Sequence, residues 1–338
     1  MLVEKIRFSN VTRNLIWGIV SVALILFAGL RADTVGADTN AYINQFYYLH
    51  AAELIWHDGS FEVGVKLIYA IAVSLAESHT LLLVLFSTIA IPLSFISIRK
   101  YSKAPDLSLF LFITLGFFVF HFNGTRQGLA FAFYMMSFSA IDKGKFFQYS
   151  AWVLIGSLFH TSVIFTLPLY YVFRKKFSWR SILWIALSMS IFVVFTDVFF
   201  LVLGNFSERY ASYADRSGQG GGLLTIFNIA ISIIFIIGRY MIALPDRHTY
   251  DIMLNMFIAG TVVFILVALT NGYVEMTRIA IYFTVAEIFL WPQLLRRIRP
   301  SYLRFMSYLI VLAVHILYYF IFLNQIGYYI PYVLSDKL

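Results

Sequence analysis

Apolar stretches of about twenty residues, the length at which a helix crosses the hydrocarbon core of a bilayer, begin near Leu15, Thr80, Leu107, Leu129, Ser181, Leu223, Ile252, Ile279 and Phe305. A further apolar segment lies between Lys145 and Arg174, interrupted near Gly156 to Thr161, and reads as two short antiparallel helices. In lipid every backbone polar group must be satisfied within the fold, which leaves helices or a closed barrel, and runs of this length select helices. The expectation is an all-α polytopic membrane protein, one transmembrane domain over residues 1–338, with about eleven membrane helices including one short broken hairpin. Composition agrees: the chain is 61% hydrophobic and 12% charged, against about 25% charged in soluble domains. A soluble enzyme is excluded, and the absence of cysteine excludes disulfides, thiolate catalysis and cysteine-ligated metals.

Basic residues cluster at Lys5/Arg7/Arg13, Arg99/Lys100/Lys103, Lys143/Lys145, Arg174/Lys175/Lys176/Arg180, Arg247 and Arg296/Arg297/Arg299/Arg304, at alternate ends of the spans. The positive-inside rule puts the N-terminus and these loops in the cytoplasm and the C-terminus outside. The first span follows a basic start, as a signal peptide does, but no small-residue cleavage pattern follows it, so it reads as an anchor. The net charge of +8 therefore reflects topology, and nucleic acid is not an expected partner. Residues 31–79 carry Asp33, Asp38, Glu53, Asp58, Glu62 and Glu77 against Arg31 and Lys66, and form the expected extracytoplasmic loop. In it Phe61, Val65, Ile68, Ala72 and Leu75, and also Ile43, Phe46, Tyr47 and Leu54, recur at helical spacing, the pattern of amphipathic interfacial helices.

Four constellations on that outer side carry chemistry. Arg31, Asp33, Asp38 and Tyr42 stand in RADTVGADTNAY, residues 31–42. Helix capping is the ordinary reading of such a loop, yet the positive-inside rule depletes arginine here, and a guanidinium beside carboxylates can hold a phosphate. Arg126 follows the Asn123-Gly124 turn and opens an apolar span; unless it snorkels to the surface, it faces inward, where a helix N-terminus favours an anion. His160 centres the broken hairpin. Arms of about 14 residues reach about 21 Å, short of the roughly 30 Å core, which puts this histidine inside the membrane zone as a general-base candidate. Arg278 and Tyr282 repeat the turn-then-arginine layout after Asn271-Gly272, with Arg209 and Tyr213 as weaker members of the same outward-facing set. No metal or cofactor is called for. His50, Glu53 and His57 share a helix face but read as interfacial polarity, Glu287 as a pairing group, and His121, His248 and His315 as structural.

These pieces resemble the EpsG family of exopolysaccharide proteins, within the broader Wzy-type polysaccharide polymerases. RADTVGADTNAYINQF, TRQGLAFAFYMMSFSAIDKGK and SLFHTSVIFTLPLY carry the likeness, with ERYASY, EMTRIAIYFTVAEIFLWPQL and the closing YYIPYVL. The resemblance implies a GT-C-like helical fold in a bacterial cytoplasmic (inner) membrane, and polymerisation on its extracytoplasmic face. There a growing glycan on undecaprenyl pyrophosphate would move to the non-reducing end of a lipid-linked repeat unit. The implied partners are that lipid-linked oligosaccharide, membrane lipid and a chain-length-regulating co-polymerase. On chemical grounds His160 is the candidate base, with Asp38 either orienting the acceptor or acting as base itself, and the arginines meet the pyrophosphate. Three rivals stand beside this reading: a GT-C-type glycosyltransferase using a polyprenyl-phosphate sugar, a transporter of lipid-linked oligosaccharide and a non-catalytic assembly subunit. A transporter should show inverted repeats, whereas the sequence has one broken hairpin; an assembly subunit would not need arginines gathered on one rim.

Overall fold

The computed structural model describes residues 9–57, 61–204, 222–270, 274–325 and 328–335. Among these the regular elements are helices, apart from one isolated bridge between Arg31 and Leu334. Ser9 caps α1 (Asn10–Gly29) by accepting from the Thr12 amide. The loop that follows leads into α2 (Thr39–Ala51) and α3 (Val63–Ala76), and Ser78 caps α4 (His79–Tyr101). Gly116, with φ +82°, breaks the next crossing into α5 (Pro105–Thr114) and α6 (Phe117–Asn123), bent by 41°. Positive φ is a conformation glycine adopts without steric cost. Here the small residue also admits the Phe322 ring, whose nearest atom would lie 2.7 Å from an added Cβ. After Gly124 come α7 (Thr125–Met136) and α8 (Phe138–Asp142), then the hairpin of α9 (Phe146–Ser157) and α10 (Thr166–Phe173), joined by a 3-10 turn over Thr161–Phe165. The chain continues through α11 (Trp179–Gly204), α12 (Gly222–Gly238), α13 (Leu244–Thr270), α14 (Val274–Thr284), α15 (Glu287–Leu295) and α16 (Ser301–Gln325).

Six stretches among the described residues are long and apolar enough to cross a membrane: Asn10–Gly29, His79–Tyr101, Gly222–Met241, Leu244–Thr270, Met276–Leu295 and Ser301–Asn324. The bent pair α5–α6 makes a seventh. This corrects the expected eleven membrane helices, and with them the GT-C-like layout. An apolar stretch does not reveal where its backbone breaks. The one at Leu129 is divided at Ser137, leaving α7 with 12 residues, about 18 Å of helix. The one at Ser181 lies in α11, a single helix over Trp179–Gly204. The hairpin breaks where the sequence places the interruption, with His160 in an extended conformation between α9 and the 3-10 turn.

The helix α13 is the axis of the bundle: Tyr250, Met253, Leu254, Met256, Phe257 and Val263 are all buried, packed against α11, α12 and α14. The loop helices differ from their expected form. On α3, Val65, Ile68 and Ala72 pack with Phe61, Phe46, Leu82, Phe86 and Leu129, while Val63, Leu67, Ile71 and Leu75 form an exposed stripe on the opposite side. A helix that is apolar on both faces does not lie on a surface with one side in water. Thus α3 is a short apolar helix docked on α4, sharing its buried cluster with Leu129 of α7, rather than an amphipathic strip, and Leu75 belongs to its outer stripe.

The helix ends sort into two rims. At the basic rim Arg239 grips Asp251 through two nitrogens at 2.5 and 2.8 Å, Arg297 pairs with Asp246, and Arg174 donates to the carbonyls of Ile141 and Asp142, where α8 ends. Asn255 donates to the Phe173 and Lys175 carbonyls at 2.9 and 2.7 Å, satisfying groups that the end of α10 leaves without helical partners. The opposite rim gathers the loop after α1, the starts of α3 and α7, the hairpin break and the start of α14.

Candidate active site

The centre of that second rim is Glu62, at the N-terminus of α3. Its carboxylate lies 3.1 Å from Arg126 Nη1 and 3.3 Å from His160 Nδ1, and it accepts from the Thr161 amide at 3.2 Å. The hairpin break supplies the last two groups: with the backbone extended at His160, its ring and the following amide face one carboxylate. A second bond fixes the approach, since the Gly64 amide donates to the Leu158 carbonyl at 2.8 Å, and a Cβ on Gly64 would meet that oxygen at 2.7 Å. Arg126 is held from the other side by the Phe61 ring, 4.8 Å away, and by the Tyr42 hydroxyl. The side chains of Arg126 and Glu62 are 14% and 12% exposed, that of His160 28%, so the imidazole is the accessible member. Burial pushes the Glu62 carboxyl up, but its contact with His160 and the Arg126 charge outweigh burial and hold it below the ordinary carboxylate value.

A second cluster stands beside the first. Arg278 Nη1 lies 3.0 Å from Asp38 Oδ2, with side chains 42% and 31% exposed. Gln127 bridges the two, donating to the Arg278 carbonyl at 2.9 Å and reaching the Tyr282 hydroxyl, which lies 3.0 Å from Ser162 Oγ. Asn123 accepts from the Ala37 amide at 2.7 Å and donates to the Tyr329 hydroxyl at 2.6 Å. Tyr282 is fully buried, so of the two residues singled out on α14 only Arg278 faces outward.

Arg31 takes a different place. It is 1% exposed, under the Phe122 ring at 4.7 Å, donating to the Ala28 carbonyl and to Thr39 Oγ1. Burial lowers its pKa to about 10, even with the Tyr332 and Tyr329 hydroxyls nearby. The C-terminal segment closes over it: Ala32 donates to the Val333 carbonyl at 2.9 Å, Ser335 to that of Leu30 at 2.8 Å, and Gly36 to that of Tyr328 at 2.7 Å. Asp33 is exposed and joins none of these contacts. Arg209, Tyr213 and the Asn271-Gly272 turn lie outside the described residues.

The structure thus brings together His160, Arg126 and Tyr42 in one cluster and Asp38 with Arg278 in its neighbour. Sequence reasoning missed the hub. Glu62 stands 64 positions from Arg126, and only its place before an apolar helix that must dock near the hairpin could have marked it. Gln127, Asn123 and Tyr329 were missed as well; each is a buried polar group beside a motif already singled out. Of the features set aside, Glu287 Oε1 lies 3.1 Å from His315 Nε2 and accepts from Trp291 at 3.0 Å, while His50 sits 3.5 Å from Glu77. No group of three or more His, Asp or Glu is disposed to hold a metal among the described residues.

Next to Arg278 a cavity of about 570 Å³ runs between α5–α6, α12, α14 and α16, walled by Leu115, Phe117, Leu224, Ile281, Leu317 and Phe322. Asn123, Arg278 and Tyr329 line it near the rim, and Glu287 lines it deeper in the bundle.

Apolar helices long enough to cross a bilayer, joined by two charged rims, define a multi-pass membrane protein. The chain belongs to the EpsG family, whose match extends over residues 14–334. That family is associated with Wzy-type polysaccharide polymerases. No curated protein and no solved structure matches the chain.

Proposed function

We propose that the protein is a polysaccharide polymerase of the bacterial cytoplasmic membrane, with the Glu62 rim on the extracytoplasmic side. It transfers a growing glycan from undecaprenyl pyrophosphate to the non-reducing end of a lipid-linked repeat unit. The observation that carries this reading is the Arg126–Glu62–His160 cluster, in which one carboxylate orients an arginine and a histidine on an accessible rim. Glu62 facing Nδ1 leaves His160 Nε2 for the acceptor hydroxyl, and an ionised carboxylate there stabilises the imidazolium that forms; a carboxylate oriented on the far nitrogen serves a histidine base in this way in other enzymes. The acceptor oxygen bonds to the anomeric carbon of the donor glycan as its proton passes to Nε2. The bond from that carbon to the pyrophosphate oxygen breaks, and the lipid pyrophosphate leaves with the electron pair. Negative charge grows on that leaving group, and guanidinium groups fixed in advance stabilise it without reorganising. Arg126 and Arg278 are the arginines of this rim with that role. Arg31, enclosed beneath the C-terminal segment, holds the loop that presents Asp38. Asp38 orients the acceptor and sets Arg278.

The test is incubation of the purified protein with lipid-linked repeat unit, with products separated by size. A ladder of repeats is the expected result. A product one sugar longer would replace this reading with a glycosyltransferase using a polyprenyl-phosphate sugar, and no extension, with or without a co-polymerase, would remove it.

A further inference from the structure

The chemistry above leaves the cavity beside Arg278 without a task, although its form is specific. Its walls are mostly apolar, which suits neither sugar nor water. Its depth is that of one leaflet. The nine steps from Arg278 on α14 to Glu287 at the start of α15 rise about 13 Å at helical pitch, under half of a roughly 30 Å hydrocarbon core. Deeper in, the Phe227 and Tyr318 rings that line it lie 4.5 Å apart, and the Glu287 carboxyl is engaged by Trp291 and His315. The flank is apolar too: Leu223 on α12 and Leu317 on α16, both lining the cavity, are 52% and 62% exposed. The top is cationic and polar, with the half-exposed Arg278 beside Asn123 and Tyr329.

An apolar slot one leaflet deep, under a guanidinium, fits an amphiphile with an anionic head and a single long tail. We infer that this cavity receives the first isoprene units of the polyprenyl chain, with the pyrophosphate at Arg278. The inference rests on the polymerase reading and adds to it where the lipid sits. It orders the rim: Arg278, at the mouth of the cavity, meets the leaving group together with Arg126, while His160 and Asp38 meet the acceptor.

The test uses the full chain in nanodiscs and a sugar-free polyprenyl diphosphate carrying a diazirine in its first isoprene units. Labelling is expected on α12, α14 or α16, displaced by undecaprenyl diphosphate and not by phosphatidylglycerol. Ile281→Trp and Leu317→Trp, which fill the slot, should each cut labelling at least tenfold with an unchanged thermal midpoint; Leu317 is exposed enough to accept the ring. Labelling elsewhere, labelling of both tryptophan variants at the level of the unaltered protein, or equal displacement by phosphatidylglycerol would each overturn the assignment. The two ideas fail separately. Failure of the polymerase reading appears as no chain extension by the unaltered protein, and failure of the lipid site appears as normal extension with the cavity unlabelled.

Discussion

Arginines on the two rims meet different partners. At the basic rim they end on groups that belong to the fold: Arg174 on the carbonyls that finish α8, Arg239 on Asp251 through a two-nitrogen grip, Arg297 on Asp246. At the opposite rim Arg126 and Arg278 end on Glu62 and Asp38, carboxylates that come from the long loop and face an accessible histidine and an open cavity. The difference teaches how to read arginine in a membrane protein. Charge at the basic rim is what the positive-inside rule expects, and the fold uses it to close helix ends. With the other rim outside, as proposed, its arginines go against that rule, and they sit with carboxylates 12% and 31% exposed, an arrangement suited to an anionic substrate.

The sharpest break of this comparison is at His160. A positioned general base contributes about 10² to 10⁴-fold, so His160→Ala should lower chain extension by that factor while lipid-substrate binding stays measurable. Asp38→Asn is the companion variant. If it abolishes extension and His160→Ala does not, the base is Asp38 and the Glu62 cluster is scaffolding. The next effect in size belongs to the arginines. Arg126→Lys and Arg278→Lys keep the charge and remove the planar fork, and extension by each should fall about 10- to 100-fold, the loss expected for about 1.4–2.7 kcal/mol of leaving-group stabilisation. Normal rates in both would move pyrophosphate recognition away from this rim.

How much of this was legible beforehand follows from range. Local signals served well: the hairpin break at His160 and the arginines that open α7 and α14 are short-range patterns of polarity against an apolar background. The crossing count failed where an apolar run is divided without a fall in hydropathy, as at Ser137, and where the hairpin arms α9 and α10, with 12 and 8 residues, stay too short to cross. The site hub failed for a different reason. Glu62 is one acid among several in an acidic loop, and its meaning comes from the docking of α3 on α4, which brings it to a histidine 98 positions away. Arg31 shows the converse error: its motif marks it as substrate-facing, yet the C-terminal strand-like segment buries it. Contacts between residues so distant in the chain leave no periodicity to read.

The basic rim should respond in stability rather than turnover. Arg239 and Asp251 are 11% and 5% exposed, and removing one partner of a buried pair strands the other at a cost of about 3–5 kcal/mol. Asp251→Asn should therefore lower the thermal midpoint in detergent clearly, with the folded fraction still extending chains at the normal rate. Glu62 gives the matching measurement on the other rim. Its folded pKa is depressed, so its contribution is complete above the ordinary glutamate value of about 4.3 and is lost as pH falls through its lower folded value. The gap in thermal midpoint between the protein and Glu62→Gln should persist at neutral pH and close at the acid end. A gap that instead widens with acid would mean that the carboxyl is held protonated.

The smallest effect is expected at Arg297, and it tests whether the rims differ in kind or only in burial. Its pair with Asp246 is 36% and 39% exposed, within reach of solvent and counter-ions, where an ion pair contributes about 0–1 kcal/mol. Arg297→Gln should therefore leave the thermal midpoint almost where it is, and added salt should change it no more than it changes the unaltered protein. It should also leave chain extension unchanged, although Arg297 is as exposed as Arg278 and carries the same charge. That equality makes the variant informative. If exposure alone made an arginine functional, Arg297→Gln and Arg278→Lys would depress extension together; if position beside the cavity and the histidine decides, only the second does.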